Sequence, residues 1–179
     1  MPRGWLRPAP RHFPNLKEAI MATIKKAGLG MLQFGGFTPY GNLTTLRATL
    51  QTNAAGAAIG ADSSAAIAAG DVVVLEKLPA GMLLEDAQVI VSTAMTAAVT
   101  GSLGFTYIDG VDHATVPQDP EYFGAGLVLN AAARLRTTSS KAPVKLPKEA
   151  YLVLTTAGAA NAKVSRLDVI VHGERLGNQ

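Results

Sequence analysis

Three consecutive runs decide how this chain reads: Ala69-Gly-Asp-Val-Val-Val-Leu-Glu-Lys-Leu-Pro-Ala-Gly81, Asp86-Ala-Gln-Val-Ile-Val-Ser-Thr93 and Gly101-Ser-Leu-Gly-Phe-Thr-Tyr-Ile-Asp-Gly110. Each is rich in β-branched and aromatic residues and each is punctuated by Gly, Pro or Asp-Gly, the residues that reverse a chain. Together they predict an antiparallel sheet. Residue types that do chemistry do not converge on this stretch, so the question is what a β-domain here binds. Val72, Val73, Val74 and Leu75 show no alternation, which leaves strand pairing open.

Working outward, Leu46, Ala48 and Leu50 alternate with Arg47, Thr49 and Gln51 and predict a half-exposed first strand. Between it and the central run, twelve of the eighteen residues in 53–70 are Ala or Gly; Gly56, Gly60 and Ser63-Ser64 interrupt a helix, and a flexible loop with one helical turn is expected. Residues 111–126, with Pro117, Pro120, Tyr122 and Phe123, read as a long connection. Short strands follow at Leu127–Leu129 and Ala133–Thr137, then a turn with Lys141, Pro143, Lys145, Pro147 and Lys148. Tyr151–Thr156 and Arg166–His172 complete the set, with Leu167, Val169 and Val171 on one face of the last strand. About eight strands without a convincing helix predict an all-β antiparallel sandwich, and the long crossings suit a jelly roll.

The 179 residues fit one domain plus an arm. The expected division is a leader or arm over 1–20, a Gly/aromatic arm over 21–42, the sandwich over 43–175 and a tail over 176–179. Hydrophobic residues make up 48% and charged residues 16%, a balance that points to apolar surface covered by another chain. The net charge of +3 sits in residues 1–20, where Arg3, Arg7, Arg11 and Lys17 face Glu18 alone. From Met21 onward 12 basic residues balance 12 acidic ones, without the basic stripe of a nucleic-acid binder. No run of about 18 apolar residues occurs, so no membrane-spanning helix is expected. The chain has no cysteine, which removes disulfides and thiolate chemistry.

Pro2, Pro8, Pro10 and Pro14 break any apolar signal-peptide core. Lys17-Glu18 can be encoded by AAGGAG, a ribosome-binding sequence, just upstream of Met21; on this reading residues 1–20 are translated leader. The competing reading is a genuine Pro-rich arm. Residues 28–42 mix glycines with Phe34, Phe37 and Tyr40: glycine opposes regular structure while the rings need burial. Such a segment is expected either to lie across a neighbour or to tuck over its own domain.

Candidates for chemistry are few. Asp109, Asp112, His113, Asp119 and Glu121 have oxygen ligands for Ca²⁺, but their spacing matches no EF-hand loop and Asp109-Gly110 is an ordinary turn; solvated loops are expected, with no metal and no cofactor. A hydrolase would need Ser92 or Ser139 to meet His113 or His172, and no Gly-x-Ser-x-Gly elbow is present. The chain is expected not to be an enzyme. Arg134, Arg136, Lys141, Lys145 and Lys148 form a basic stretch, readable as a docking patch or as a solvated edge that deters strand addition. Gly104 reads as a bulge or a small residue beneath a ring, against close backbone approach at an interface.

Taken together, the central runs, Ala150-Tyr-Leu-Val-Leu-Thr-Thr-Ala-Gly158 and Leu167-Asp-Val-Ile-Val171 resemble the jelly-roll capsid cementing, or decoration, proteins of tailed bacteriophages over residues 68–172. That resemblance implies a non-enzymatic virion protein on the capsid exterior, assembled in the host cytoplasm. It implies a homodimer or homotrimer whose partner is the major capsid protein, with no direct nucleic acid or membrane contact. The family carries no active site, so no catalytic role transfers. The expected contact residues are Phe34, Phe37 and Tyr40 of the arm, Tyr122 and Phe123 of the long connection, and Arg134 and Arg136. Two other readings compete: a head–tail junction or tail protein, and a carbohydrate-binding sandwich, which the single Trp (Trp5) and 6% aromatic content disfavour.

Overall fold

The computed structural model describes residues 43–175, which form two packed antiparallel sheets. The strands are β1 (Leu43–Thr52), β2 (Val72–Leu78), β3 (Met82–Thr93), β4 (Thr100–Tyr107), β5 (Asp119–Val128), β6 (Ala133–Arg136), β7 (Val144–Lys145), β8 (Ala150–Ala157) and β9 (Ser165–Arg175). One sheet runs β1-β9-β3-β6, with β7 beside β6 on the same edge of β3; the other runs β2-β8-β4-β5. The pairing is nested: β1 with β9, β2 with β8, β3 with β6, β4 with β5. A long hairpin rolled up on itself produces this order, and it is the jelly roll. The arm residues Phe34, Phe37 and Tyr40, the proposed leader and the tail lie outside the described residues.

The core is the two inward faces. Leu167, Val169 and Val171 of β9 are fully buried, as their spacing predicts, against Leu103 and Phe105 of β4 and Leu152 and Leu154 of β8. In β3 the buried set is Met82, Leu84, Ala87, Val89 and Val91; the step of three between Leu84 and Ala87 falls where the register with β9 shifts. A bulge inserts one residue and restores the inward face after it. Fully burying each Leu, Val, Met or Phe side chain among these is worth ~1.5–3 kcal/mol.

Three expectations change. First, residues 53–70 do not form a loose loop. Bridges Thr52↔Ala58 and Ala57↔Ala66 close it, and Ala57 and Ile67 are buried. Small side chains lie close to backbone here, so the loop is held by hydrogen bonds and close approach rather than by apolar mass.

Second, residues 119–126 belong to a strand. The register steps from Leu103↔Gly124 to Phe105↔Asp119, so four residues of β5 oppose Gly104 alone. A side chain at Gly104 would collide with the Asp119 carbonyl oxygen, so this glycine is the site of close backbone approach within the chain, at a bulge.

Third, Tyr122 and Phe123 are core residues, not surface contacts. In a regular strand neighbours point to opposite faces; the bulge turns both rings inward, where they are 6% and 1% exposed. Phe105, Tyr122 and Phe123 pack edge to face, with centroids 5.6 and 4.9 Å apart, and such pairs add ~0.5–1.5 kcal/mol each beyond area burial. The Tyr122 hydroxyl donates to the carbonyls of Ala142 (2.9 Å) and Leu84 (3.2 Å), and burial raises its pKa.

Candidate interaction surfaces

Rolling the hairpin sends the β1–β2, β3–β4, β5–β6 and β8–β9 connections to one end of the sandwich. The β2–β3, β4–β5 and β6–β8 connections go to the other. Each end is a loop cluster with its own chemistry.

At the first end a buried amide ties the loops together. Asn161 is 1% exposed; its Oδ1 accepts from the amide and hydroxyl of Thr96 (3.1 and 3.2 Å), and its Nδ2 donates to Thr52 Oγ1 (3.0 Å) and the Lys163 carbonyl (2.9 Å). Its backbone N–H donates to the Ile67 carbonyl at 2.8 Å, fastening the 53–70 loop. Gly56, at φ 85°, lies so close to the Asn161 carbonyl that a Cβ would collide with it. Nothing in the sequence around Asn161 marks a buried amide that reaches Thr52, 109 positions earlier.

At the second end ion pairs join neutral hydrogen bonds such as Tyr107 Oη to the Val116 carbonyl (2.6 Å) and Tyr122 Oη to the Ala142 carbonyl (2.9 Å). Lys148 Nζ contacts both Asp109 carboxylate oxygens (2.8 and 2.7 Å) and sits 4.5 Å from the Tyr107 ring centroid. The Lys148 hydrogen bond is the main reason the Asp109 carboxyl is held below its ordinary pKa, and the Val111 N–H adds to it. Lys141 pairs with Asp119. Two lysines of the basic stretch therefore staple loops, and Lys145 sits in β7 opposite Leu83.

Arg134 and Arg136 project from β6 beside β3. Arg134 Nη1 donates to Gln88 Oε1 at 2.9 Å, while Arg136 is 3.7 Å from Asp86 with its side chain 69% exposed. Both guanidinium groups remain at the surface, where either can meet an acidic partner.

The metal and hydrolase candidates are each used locally. Asp112 accepts from the Gln118 amide (2.9 Å), His113 meets the Thr115 hydroxyl (3.0 Å), and Glu121 accepts from Ser102 (3.2 Å). Ser92 donates to the Arg166 carbonyl, Ser139 accepts from the Lys141 amide, and His172 meets Thr45 at 3.4 Å. Among the described residues no three His, Asp or Glu side chains gather into a ligand set. Phe105, Tyr107, Tyr122 and Phe123 are buried and Tyr151 is half-buried, so the described surface has no row of rings for a sugar.

No protein-family model and no curated protein matches the chain. Solved structures do. A chain from the capsid of Ralstonia phage GP4 superimposes with a TM-score of 0.54 at 20% identity, covering 84% of this chain and 94% of that one. A chain from the cyanophage Pam1 capsid asymmetric unit matches with a TM-score of 0.51 at 11% identity, over 84% of this chain and 97% of that one. The fold is that of chains in two phage capsids. At these identities the likeness is one of architecture, and it extends over nearly the whole length of both neighbours.

Proposed function

We propose that this chain is a non-enzymatic virion structural protein that binds the outside of a phage head and cements adjacent major-capsid subunits. The observation that carries the reading is the jelly roll shared, almost end to end, with chains of phage capsids. Among the described residues, Lys148 with Asp109, Lys141 with Asp119 and Arg166 with Asp168 hold loops and strands in place, which suits a part that presents a fixed surface. Arg134 and Arg136 supply an accessible cationic pair for an acidic shell patch.

Cementing follows from repetition. A small oligomer engaging several shell subunits makes each further contact at high effective concentration, so modest individual contacts add up to firm attachment. Phe34, Phe37 and Tyr40 are the proposed anchors on the shell, where burying aromatic rings supplies attachment. Heads lacking the protein, incubated with it and then heated in the presence of a DNA dye, are expected to release DNA at a higher temperature. An unchanged release temperature at saturating protein contradicts cementing. Saturation at a few copies per head moves the protein to the head–tail junction.

A further inference from the structure

The two ends of the sandwich present different surfaces. The connections of the Asn161 end, residues 53–71, 94–99, 129–132 and 158–164, hold three charged side chains: Asp62, Asp71 and Lys163. Asp71 is used internally, accepting from the Ala68 amide at 2.7 Å. The connections of the opposite end are shorter in total, yet they hold Asp109, Asp112, Lys141, Lys148 and Glu149. Exposed apolar side chains are distributed the other way. Ile59 and Val164, 60% and 55% exposed, lie in the loops of the Asn161 end, and Val72 and Val128 stand where β2 begins and β5 ends beside them. The loops of the opposite end expose Val111.

Around Ile59 and Val164 the surface is rich in alanine. Ala55, Ala97, Ala131 and Ala160 are exposed, one in each connection. Alanine has no rotamer freedom to lose when it is covered. The four connections are also joined within the chain: Asn161 bonds to the Ile67 carbonyl and to Thr96, and the Met95 N–H donates to the Leu129 carbonyl at 2.9 Å. A contact spread over all four therefore has few groups left to order on binding. Arg134, two residues beyond Ala132, adjoins this end from β6.

The size of the end bears on its occupant. Four strands ~4.8 Å apart in sheets ~10 Å apart give a footprint on the order of 400 Å². A stable pair of free proteins buries about 800 Å² on each partner. The end is therefore small for joining two free copies, and adequate where several such contacts act together on one shell. A charge facing the alanines would be buried without a counter-charge, which selects an uncharged partner surface.

We infer that the Asn161 end is the one that seats on the phage head, against an uncharged, apolar patch of the capsid shell, with Arg134 at its border. The inference rests on the head-binding reading and adds to it which surface binds.

The test is binding of the full-length protein to heads lacking it, read by sedimentation over a range of concentrations. Ile59→Glu with Val164→Glu puts two charges on the docking surface at exposed positions; thermal unfolding is expected to be unchanged and affinity to fall ~10-fold or more. Ala131→Glu, in another connection of the same end, is expected to weaken binding as well. Val111→Glu, 62% exposed at the opposite end, is expected to bind like the natural chain. A natural chain that leaves the heads bare defeats the head-binding reading itself. A natural chain that binds, while the Ile59/Val164 and Ala131 variants bind equally well, overturns this inference alone. So does a doubly substituted chain that binds heads normally but has a lower mass by light scattering, which assigns the end to a contact between copies.

Discussion

The two loop clusters of this jelly roll do the same mechanical work by different physics. One end is pinned by Asn161, a neutral amide buried among Thr52, Thr96 and Ser165. The other is stapled by Lys148–Asp109 and Lys141–Asp119, pairs that stay in contact with water. A buried neutral network is insensitive to salt and pH, and an unpaired member left behind costs its full desolvation. A partly exposed ion pair is weak, screened and titratable. The two ends therefore differ in how much a single substitution, salt or acid should cost them.

The comparison ranks substitutions. Gly56→Ala is expected to be the most damaging: it forces a Cβ into the Asn161 carbonyl at a left-handed backbone position, and a loss of ~3 kcal/mol or more should appear in denaturant unfolding. Asn161→Ala comes next, at ~2–4 kcal/mol, because it strands the Thr96 amide. Lys148→Met at the other end is expected to cost ~1 kcal/mol or less. A larger loss for Lys148→Met than for Asn161→Ala would break the comparison.

Acid sharpens it. Asp109 is held below its ordinary value of 3.8, chiefly by Lys148, so its stabilising contribution is complete above that value and disappears as pH falls through the lowered one. Asp168, held low first by Arg166 and then by Thr49, adds a loss of the same sign elsewhere on the sheet. The discriminating quantity is therefore the difference in acid unfolding between the natural chain and Lys148→Met: below pH ~4 the gap should close. The smallest expected effect is that of Arg136→Ala, within ~0.5 kcal/mol in stability, since its partner is distant and its side chain is solvated.

Much of this architecture was legible because burial and alternation coincide. β9 and most of β3 carry their inward residues at every second position, and the bulge in β3 only shifts the count. β5 was hidden for the opposite reason. Its bulge opposite Gly104 buries Tyr122 and Phe123 together, and two neighbouring inward rings look like a loop to a period-2 reading. The 53–70 loop was misread as loose because its order comes from Asn161, far along the chain, and from close backbone approach that composition does not encode. The valines of β2 lacked alternation in sequence, yet Val72 and Val74 face outward while Val73 and Leu75 pack towards the core. Arg134 and Arg136 stayed at the surface, as their charges require.

The most direct test is imaging phage heads at subunit resolution after incubation with the purified protein, alongside untreated heads lacking it. Cementing predicts jelly-roll density at every equivalent position on the outer shell, spanning neighbouring capsid subunits. A shell identical to that of untreated heads, with the protein left in solution, would contradict it.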